Sequence, residues 1–210
     1  ASDGAVHVFD SWSGRLVAEL PGAGEEIDGV DLSRDGRRVM TTSAAGGLAR
    51  IWDVASATTV AELRVGGSAG LLSPDGETVA VYGRRDRAGI GAGLELWDVG
   101  TGTKREGINP SLRHTTLAFA PDGASVVAGS PDGSVRVFDS RGGREIARLR
   151  GHQSRPIAAA LSPDGRMVLS SAFDSRLVLW SLDAARPSHT FEAAHGAVSA
   201  LLPETGPTVL

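Results

Sequence analysis

Short apolar segments separated by turn residues run along the whole chain. Residues 135–138 and 176–180 are two such segments, rich in β-branched or aromatic residues and bounded by Gly, Pro, Asp or Ser, which is typical of β-strands. No long segment carries the apolar period of about 3.6 residues that an amphipathic helix needs. The pattern predicts an all-β protein with a helical content near zero.

Two short motifs recur along the chain with a period near 42 residues. The first is an aromatic residue followed by Asp, in copies separated by 43, 45, 41 and 42 residues: Phe9-Asp10, Trp52-Asp53, Trp97-Asp98, Phe138-Asp139 and the degenerate Trp180-Ser181. The second is a turn ending in Asp-Gly: Ser33-Arg-Asp-Gly36, Ser73-Pro-Asp-Gly76, Ala120-Pro-Asp-Gly123, Ser162-Pro-Asp-Gly165 and the degenerate Pro203-Glu-Thr-Gly206. Each repeat then contains four strands, and a four-stranded unit of about 40–45 residues is the size of a propeller blade.

The repeats resemble the WD40 family over essentially the whole chain. The repeat at 151–193 matches best, with Gly151-His152, Ser162-Pro-Asp-Gly165, Ser170, Asp174 and Trp180. The resemblance implies a β-propeller of four-stranded antiparallel blades. It also implies that the four polar residues of this unit form a structural hydrogen-bonded network inside the blade: His152, Ser170, Asp174 and Trp180. A Ser-His-Asp hydrolase is the less favoured interpretation, because buried polar networks of this kind rigidify a fold.

The other units depart from this pattern. The repeat at 109–150 keeps Asp132 but has Phe138 in place of Trp and Ala128 in place of Ser. The repeat at 21–63 has Ala23 and Gly46 at the positions of the His and the Asp, and the repeat at 64–108 carries an insertion. We therefore expect a complete network in one blade only, with the remaining blades held by apolar packing.

The two ends of the chain each resemble half a blade. The predicted repeat units are 1–20, 21–63, 64–108, 109–150, 151–193 and 194–210, within a single WD40 domain or domain fragment spanning 1–210. Two explanations stay open: the ends complete one blade and close a five-bladed ring, or the chain is a piece of a larger propeller, commonly seven-bladed in this family. The start at Ala1 rather than Met favours a piece.

Composition narrows the class of partner. A net charge of −4 argues against nucleic-acid binding, and no apolar run approaches the roughly 18 residues needed to cross a membrane. The absence of cysteine excludes thiolate metal sites and fits a reducing, cytoplasmic location. Lys104 is the sole lysine among 21 basic residues, a bias that suggests a bacterial source. No metal or cofactor motif is present, so we expect none to be bound.

The resemblance assigns partner binding to the face that carries the fourth-to-first and second-to-third strand connections. Candidates in these loops are Glu26, Arg113, His114 and Arg155. An insertion on the same face contributes Arg84, Arg85, Arg87 and Ile90. Arginines beside an apolar residue are common in interfaces, and paired guanidiniums suit carboxylates or phosphates. Solvated loop arginines without a partner are the alternative for both sets.

These features favour a non-catalytic protein–protein interaction scaffold, as the WD40 region of a larger bacterial signalling or regulatory protein. A propeller enzyme or small-ligand binder that uses a central channel is the first alternative. It would need polar side chains converging on the axis, whereas segments such as 71–72 and 158–161 are apolar or small. A structural spacer is the second alternative.

Overall fold

The structure is a computed structural model. It describes residues 4–21, 26–43, 46–65, 70–82, 93–105 and 116–192. These residues contain strands, turns and bends and no α-helix. They divide into two compact units, Ala1–Arg105 and Glu106–Leu210, and each unit is described by itself.

The first unit holds one two-stranded and two four-stranded antiparallel sheets. The two-stranded sheet pairs β1 (Val6–Phe9) with β2 (Leu16–Leu20). The next sheet runs in sequence order through β3 (Gly29–Leu32), β4 (Arg38–Ser43), β5 (Leu48–Asp53) and β6 (Thr58–Arg64). The third contains β7 (Gly70–Leu72), β8 (Thr78–Tyr82), β9 (Leu94–Asp98) and β10 (Lys104–Arg105), again with neighbours in sequence paired in space.

The second unit holds two four-stranded antiparallel sheets. One contains β11 (Leu117–Phe119), β12 (Ser125–Gly129), β13 (Val135–Asp139) and β14 (Glu145–Leu149). The other contains β15 (Pro156–Leu161), β16 (Met167–Ala172), β17 (Arg176–Ser181) and β18 (Arg186–Glu192). The all-β class and the four-stranded antiparallel blade are thereby confirmed. The half-blade predicted at 194–210 lies outside the described residues.

The Asp-Gly turns join the first and second strands of each four-stranded sheet. In the first of them, the Ser33 hydroxyl donates to the Asp35 carboxylate over 2.7 Å and accepts from the Arg38 N–H over 2.9 Å. Gly36 has φ +70°, a conformation that glycine adopts without steric cost. The turn therefore depends on all three residue types of the Ser-x-Asp-Gly motif.

The Asp of the aromatic-Asp motif has a separate role in the turn between the third and fourth strands. Asp53 accepts from both the N–H and the hydroxyl of Ser56, each over 2.8 Å. Asp98 accepts in the same way from Thr101. These carboxylates replace backbone partners in a tight turn, which explains the recurrence of Asp without any catalytic role.

Each unit has apolar clusters between its sheets. In the second unit, fully buried valines of β12, β13 and β16 pack with Leu149 and Trp180. In the first, Met40, Ile51 and Leu63 pack with residues of β8. The central strands β12 and β13 are buried along nearly their whole length. On such a scaffold the loops at the strand ends are the usual surface for recognition.

Candidate protein-interaction surface

A chain of hydrogen bonds runs through the interior of the β15–β18 sheet. The Trp180 indole N–H donates to the Ser170 hydroxyl over 2.8 Å, and Ser170 Oγ lies 2.8 Å from His152 Nε2. His152 Nδ1 lies 3.0 Å from Asp174 Oδ2. Because the indole can only donate, one arrangement of a neutral histidine satisfies every group: Ser170 donates to Nε2, and the Nδ1–H donates to Asp174. The structure thus brings the four predicted residues together.

The burial of this network excludes nucleophilic catalysis by Ser170. Ser170 has no solvent-exposed surface, so a substrate cannot reach its Oγ. The hydroxyl is also occupied by two ring nitrogens, one from His152 and one from Trp180. These groups fix the blade.

Asp174 links the buried network to the loops at the protein surface. Burial raises the pKa of this carboxyl, but hydrogen bonds from the Gln153 N–H, His152 and the Arg176 N–H lower it by more, so its pKa lies below the usual Asp value. The Gln153 bond measures 2.8 Å. A second bond joins the same two loops, from the Phe173 N–H to the Arg155 carbonyl over 3.2 Å. The loop before β15 is therefore fastened to the loop after β16.

Arg155 and Phe173 form a pair on this fastened surface. The guanidinium carbon of Arg155 lies 4.6 Å from the centroid of the Phe173 ring, within the range of a cation–π contact. Arg155 is exposed, and Phe173 keeps 58% of its surface exposed. Arg155 is one of the partner-binding residues predicted from the sequence. Phe173 is not, although a large aromatic residue immediately before the network Asp is a signal that could have identified it.

A recess of about 230 Å³ lies beside this loop. Its lining residues come from the β12–β13 loop and from the start of the next blade: Asp132, Gly133, Ser134, Arg150, Gly151 and His152. The two backbones approach closely here, since a Cβ on Gly133 would lie 2.5 Å from the His152 carbonyl oxygen. Gly133 also has φ +81°, so both space and conformation require glycine.

An arginine occupies the interior of the β11–β14 sheet, in which Ala128 and Phe138 replace the network Ser and Trp. Arg136 is 7% exposed and lies 3.2 Å from Glu145 and 3.8 Å from Asp132. Asp132 also accepts from the Ser134 N–H over 3.0 Å. Asp132, which is the counterpart of Asp174, therefore faces a buried cation in place of a histidine.

The β3–β6 sheet contains a partial network that the repeat pattern did not predict. The Trp52 indole N–H donates to the Thr41 hydroxyl over 3.1 Å. Thr41 lies two residues after Val39, the cross-strand partner of Trp52. Ser170 lies in the same register after Val168, the partner of Trp180. Comparing these registers would have revealed Thr41, so this blade does not depend on apolar packing alone.

The remaining predicted binding residues divide into two groups. Glu26 lies exposed just before β3 in the first unit. The others lie outside the described residues and stay predictions: Arg84, Arg85, Arg87, Ile90, Arg113 and His114. Within the described part of the chain, no group of three or more His, Asp or Glu side chains is placed to hold a metal ion. The same part has no helix that could cross a membrane.

Comparison with known proteins identifies the repeat. The family model "WD domain, G-beta repeat" (WD40) matches residues 112–139 and 143–181. Autophagy-related protein 16 of Arabidopsis thaliana is 26% identical over 82% of this chain and 33% of its own length. Transducin beta-like protein 3 of Bos taurus is 30% identical over 95% of this chain and 25% of its own length. Human WD repeat and SOCS box-containing protein 1 is 35% identical over 43% of this chain and 22% of its own length.

The chain thus spans no more than a third of the length of these relatives, all of which are eukaryotic. The matched segments include the four-residue network and the Arg155–Phe173 pair. They also include every strand of the second unit from β11 to β17, and β18 lies beyond them. Residues 112–181 therefore carry WD40 repeats, and the four-stranded antiparallel sheets of this chain are blades of the WD40 β-propeller type.

Proposed function

We propose that this chain is a non-catalytic protein-interaction platform that binds a protein partner through one surface of its second unit. We call this surface the Arg–Phe surface and define it by Arg150, Gln153, Arg155 and Phe173. The observation that carries the proposal is the exposed Phe173 ring with the Arg155 guanidinium 4.6 Å from its centroid. Aromatic residues and arginine contribute most of the binding energy in many protein interfaces.

The energetics favour an interface at this position. Covering an exposed Phe side chain releases about 1.5–3 kcal/mol, and here more than half of the Phe173 surface remains available. The Arg155 side chain is held over the ring, so less rotamer freedom is lost when a partner binds. Hydrogen bonds from the Gln153 and Phe173 N–H groups fix the loops in advance. Preorganisation of this kind raises affinity without adding contacts.

The relatives support a role within a larger protein. Their names refer to WD repeats, a SOCS box or autophagy, and this chain matches a minor part of the length of each. We propose that the chain is the WD40 region of a larger regulatory or signalling protein and acts in the cytoplasm. The proposal of a bacterial source rests on the Arg-rich composition.

A second contact region is proposed from the sequence alone. The repeat pattern predicts an insertion that contains Arg84, Arg85, Arg87 and Ile90. It also predicts that Glu26, Arg113 and His114 lie in the loops before the first strands of their blades. Changing the three arginines of the insertion to Glu tests it. Loss of a partner supports the region, and unchanged partner recovery removes it from the interface.

Site-specific photocrosslinking tests the platform itself. A benzophenone amino acid replaces Phe173 in one variant and Ile146 in a control variant, because Ile146 is also a large exposed apolar residue, at 46%, but lies on strand β14. The proposal expects a defined crosslinked protein from the Phe173 position that is absent from the Ile146 position. The same products from both positions, or none from Phe173, would contradict it.

A further inference from the structure

Two arginines at the ends of one loop have no ion-pair partner among the described residues. Arg150 and Arg155 are both exposed and flank the loop of His152. Among the described residues, neither has a carboxylate within ion-pair distance, whereas Arg136, Arg148 and Arg176 each have one. Two cations in this loop are therefore available to a partner.

Within the described part of the chain, the carboxylates of the neighbouring elements each have a hydrogen-bond or ion-pair partner. Asp174 has a side chain only 6% exposed and accepts from His152 and the Gln153 N–H. Glu145 pairs with both Arg136 and Arg148. Asp132, on the wall of the recess, accepts from Ser134 and lies 3.8 Å from Arg136. The Arg–Phe surface therefore presents positive charge, although the whole chain carries a net charge of −4.

The geometry of Arg155 favours a planar anion. The contact of the Arg155 guanidinium with the Phe173 ring involves no carboxylate, so the N–H donors of Arg155 can pair with an anion. These donors match the two oxygens of a carboxylate, and the pair forms two parallel charge-assisted hydrogen bonds. The ring beneath it remains 58% exposed, so an apolar side chain next to the carboxylate has a surface to cover.

From this charge complementarity we infer that the Arg–Phe surface binds an acidic peptide segment in which Asp or Glu stands next to a large apolar residue. This inference rests on the proposed platform function. One carboxylate of the segment pairs with Arg155, the apolar side chain covers Phe173, and a second carboxylate reaches Arg150 beside the recess. A basic segment would leave both guanidiniums unpaired and would be repelled by them, so it is excluded as the occupant.

Fluorescence anisotropy with the full 210-residue chain tests the inference directly. The probes are three labelled peptides that share a central Leu and are flanked on both sides by Glu, by Gln or by phosphoserine. We expect the Glu peptide to bind with a Kd below about 1 mM and to bind more weakly as the salt concentration increases. The Gln peptide should bind at least about tenfold more weakly, because it lacks the charge.

Variants locate the binding on the surface. Arg155→Gln should weaken the Glu peptide at least about tenfold, and Arg155→Lys should recover part of the loss, since lysine keeps the charge but not the fork of donors. Arg144→Gln is the matched control, because Arg144 is exposed in the β13–β14 turn at the opposite end of β14; it should leave binding unchanged. Circular dichroism spectra of all variants verify that the fold is retained.

The outcomes separate this inference from the proposed function. Equal binding of the Glu and Gln peptides, equal binding to wild type and Arg155→Gln, or binding of the phosphoserine peptide alone would overturn the carboxylate specificity. Failure of the Glu peptide to bind at all would overturn it as well. The absence of a crosslinked protein from the Phe173 position, by contrast, would contradict the proposed platform function. A crosslink at Phe173 that persists in the Arg155→Gln variant would support the proposed platform function and would contradict binding of an acidic peptide.

Discussion

His152 Nδ1 lies 3.0 Å from Asp174 Oδ2, and this contact joins the buried network of a blade to the loops at its surface. On the inner side, His152 reaches Ser170 and through it Trp180. On the outer side, Asp174 holds the Gln153 N–H. The residues that stabilise the blade are thus the ones that fix the position of the Arg–Phe surface.

Replacing His152 by Ala should destabilise the protein. The change removes the hydrogen bonds that His152 makes to the buried Ser170 hydroxyl and to the Asp174 carboxylate. Each loss costs about 1–3 kcal/mol in the free energy of unfolding. Urea denaturation followed by tryptophan fluorescence measures this quantity. His189→Ala is the control, because His189 is exposed and its loss should cost less than about 0.5 kcal/mol. Equal effects of the two changes would show that the network contributes nothing.

Acid should remove the stabilisation that Asp174 provides. The pKa of Asp174 is lowered in the folded protein, so its contribution is fully present above the unfolded-state value near 3.8 and is lost as pH falls through the lower folded-state pKa. Asp174→Asn should reduce the free energy of unfolding near neutral pH and flatten its decline toward acid. Asp183→Asn, which alters an exposed carboxyl between β17 and β18, is the control. An acid limb of unchanged steepness in Asp174→Asn would refute this assignment.

Thr41 should matter to its blade through its hydroxyl. Thr41→Val keeps the shape of the side chain but removes the acceptor for the buried Trp52 indole N–H, which should cost about 1–3 kcal/mol. Thr41→Ser keeps the acceptor and serves as the matched comparison. Thermal unfolding of both variants measures the difference. If valine is tolerated at least as well as serine, the hydrogen bond has no net value.

Gly133 should be far less replaceable than Gly165. Both have positive φ, +81° and +67°, so alanine costs about 1–2 kcal/mol at either position through backbone strain. At Gly133 the new Cβ would also lie 2.5 Å from the His152 carbonyl oxygen, whereas at Gly165 it would meet nothing within 4 Å. Unfolding of Gly133→Ala should therefore occur at clearly lower urea concentration. Similar midpoints for the two variants would contradict the close contact between the blades.

The repeat period predicted more of the blade than of the surface. Trp-Asp and Ser-Pro-Asp-Gly each fix a local turn, so strand order and blade type follow from residues close together in sequence. The His152–Trp180 network followed from the WD40 resemblance. Thr41 and Arg136 were missed because their roles depend on cross-strand register. Phe173 was missed because its contact with Arg155 forms only when the β16–β17 loop is fastened to the loop before β15.

Quantitative recovery of partner proteins on the immobilised chain tests the central claim most directly. Phe173→Ser removes the aromatic anchor of the Arg–Phe surface, and Ile146→Ser removes an apolar side chain of similar exposure elsewhere. We expect that at least one partner recovered with the wild type and with Ile146→Ser is reduced about tenfold or more with Phe173→Ser. An identical set of partners, in equal amounts, from both variants would contradict it.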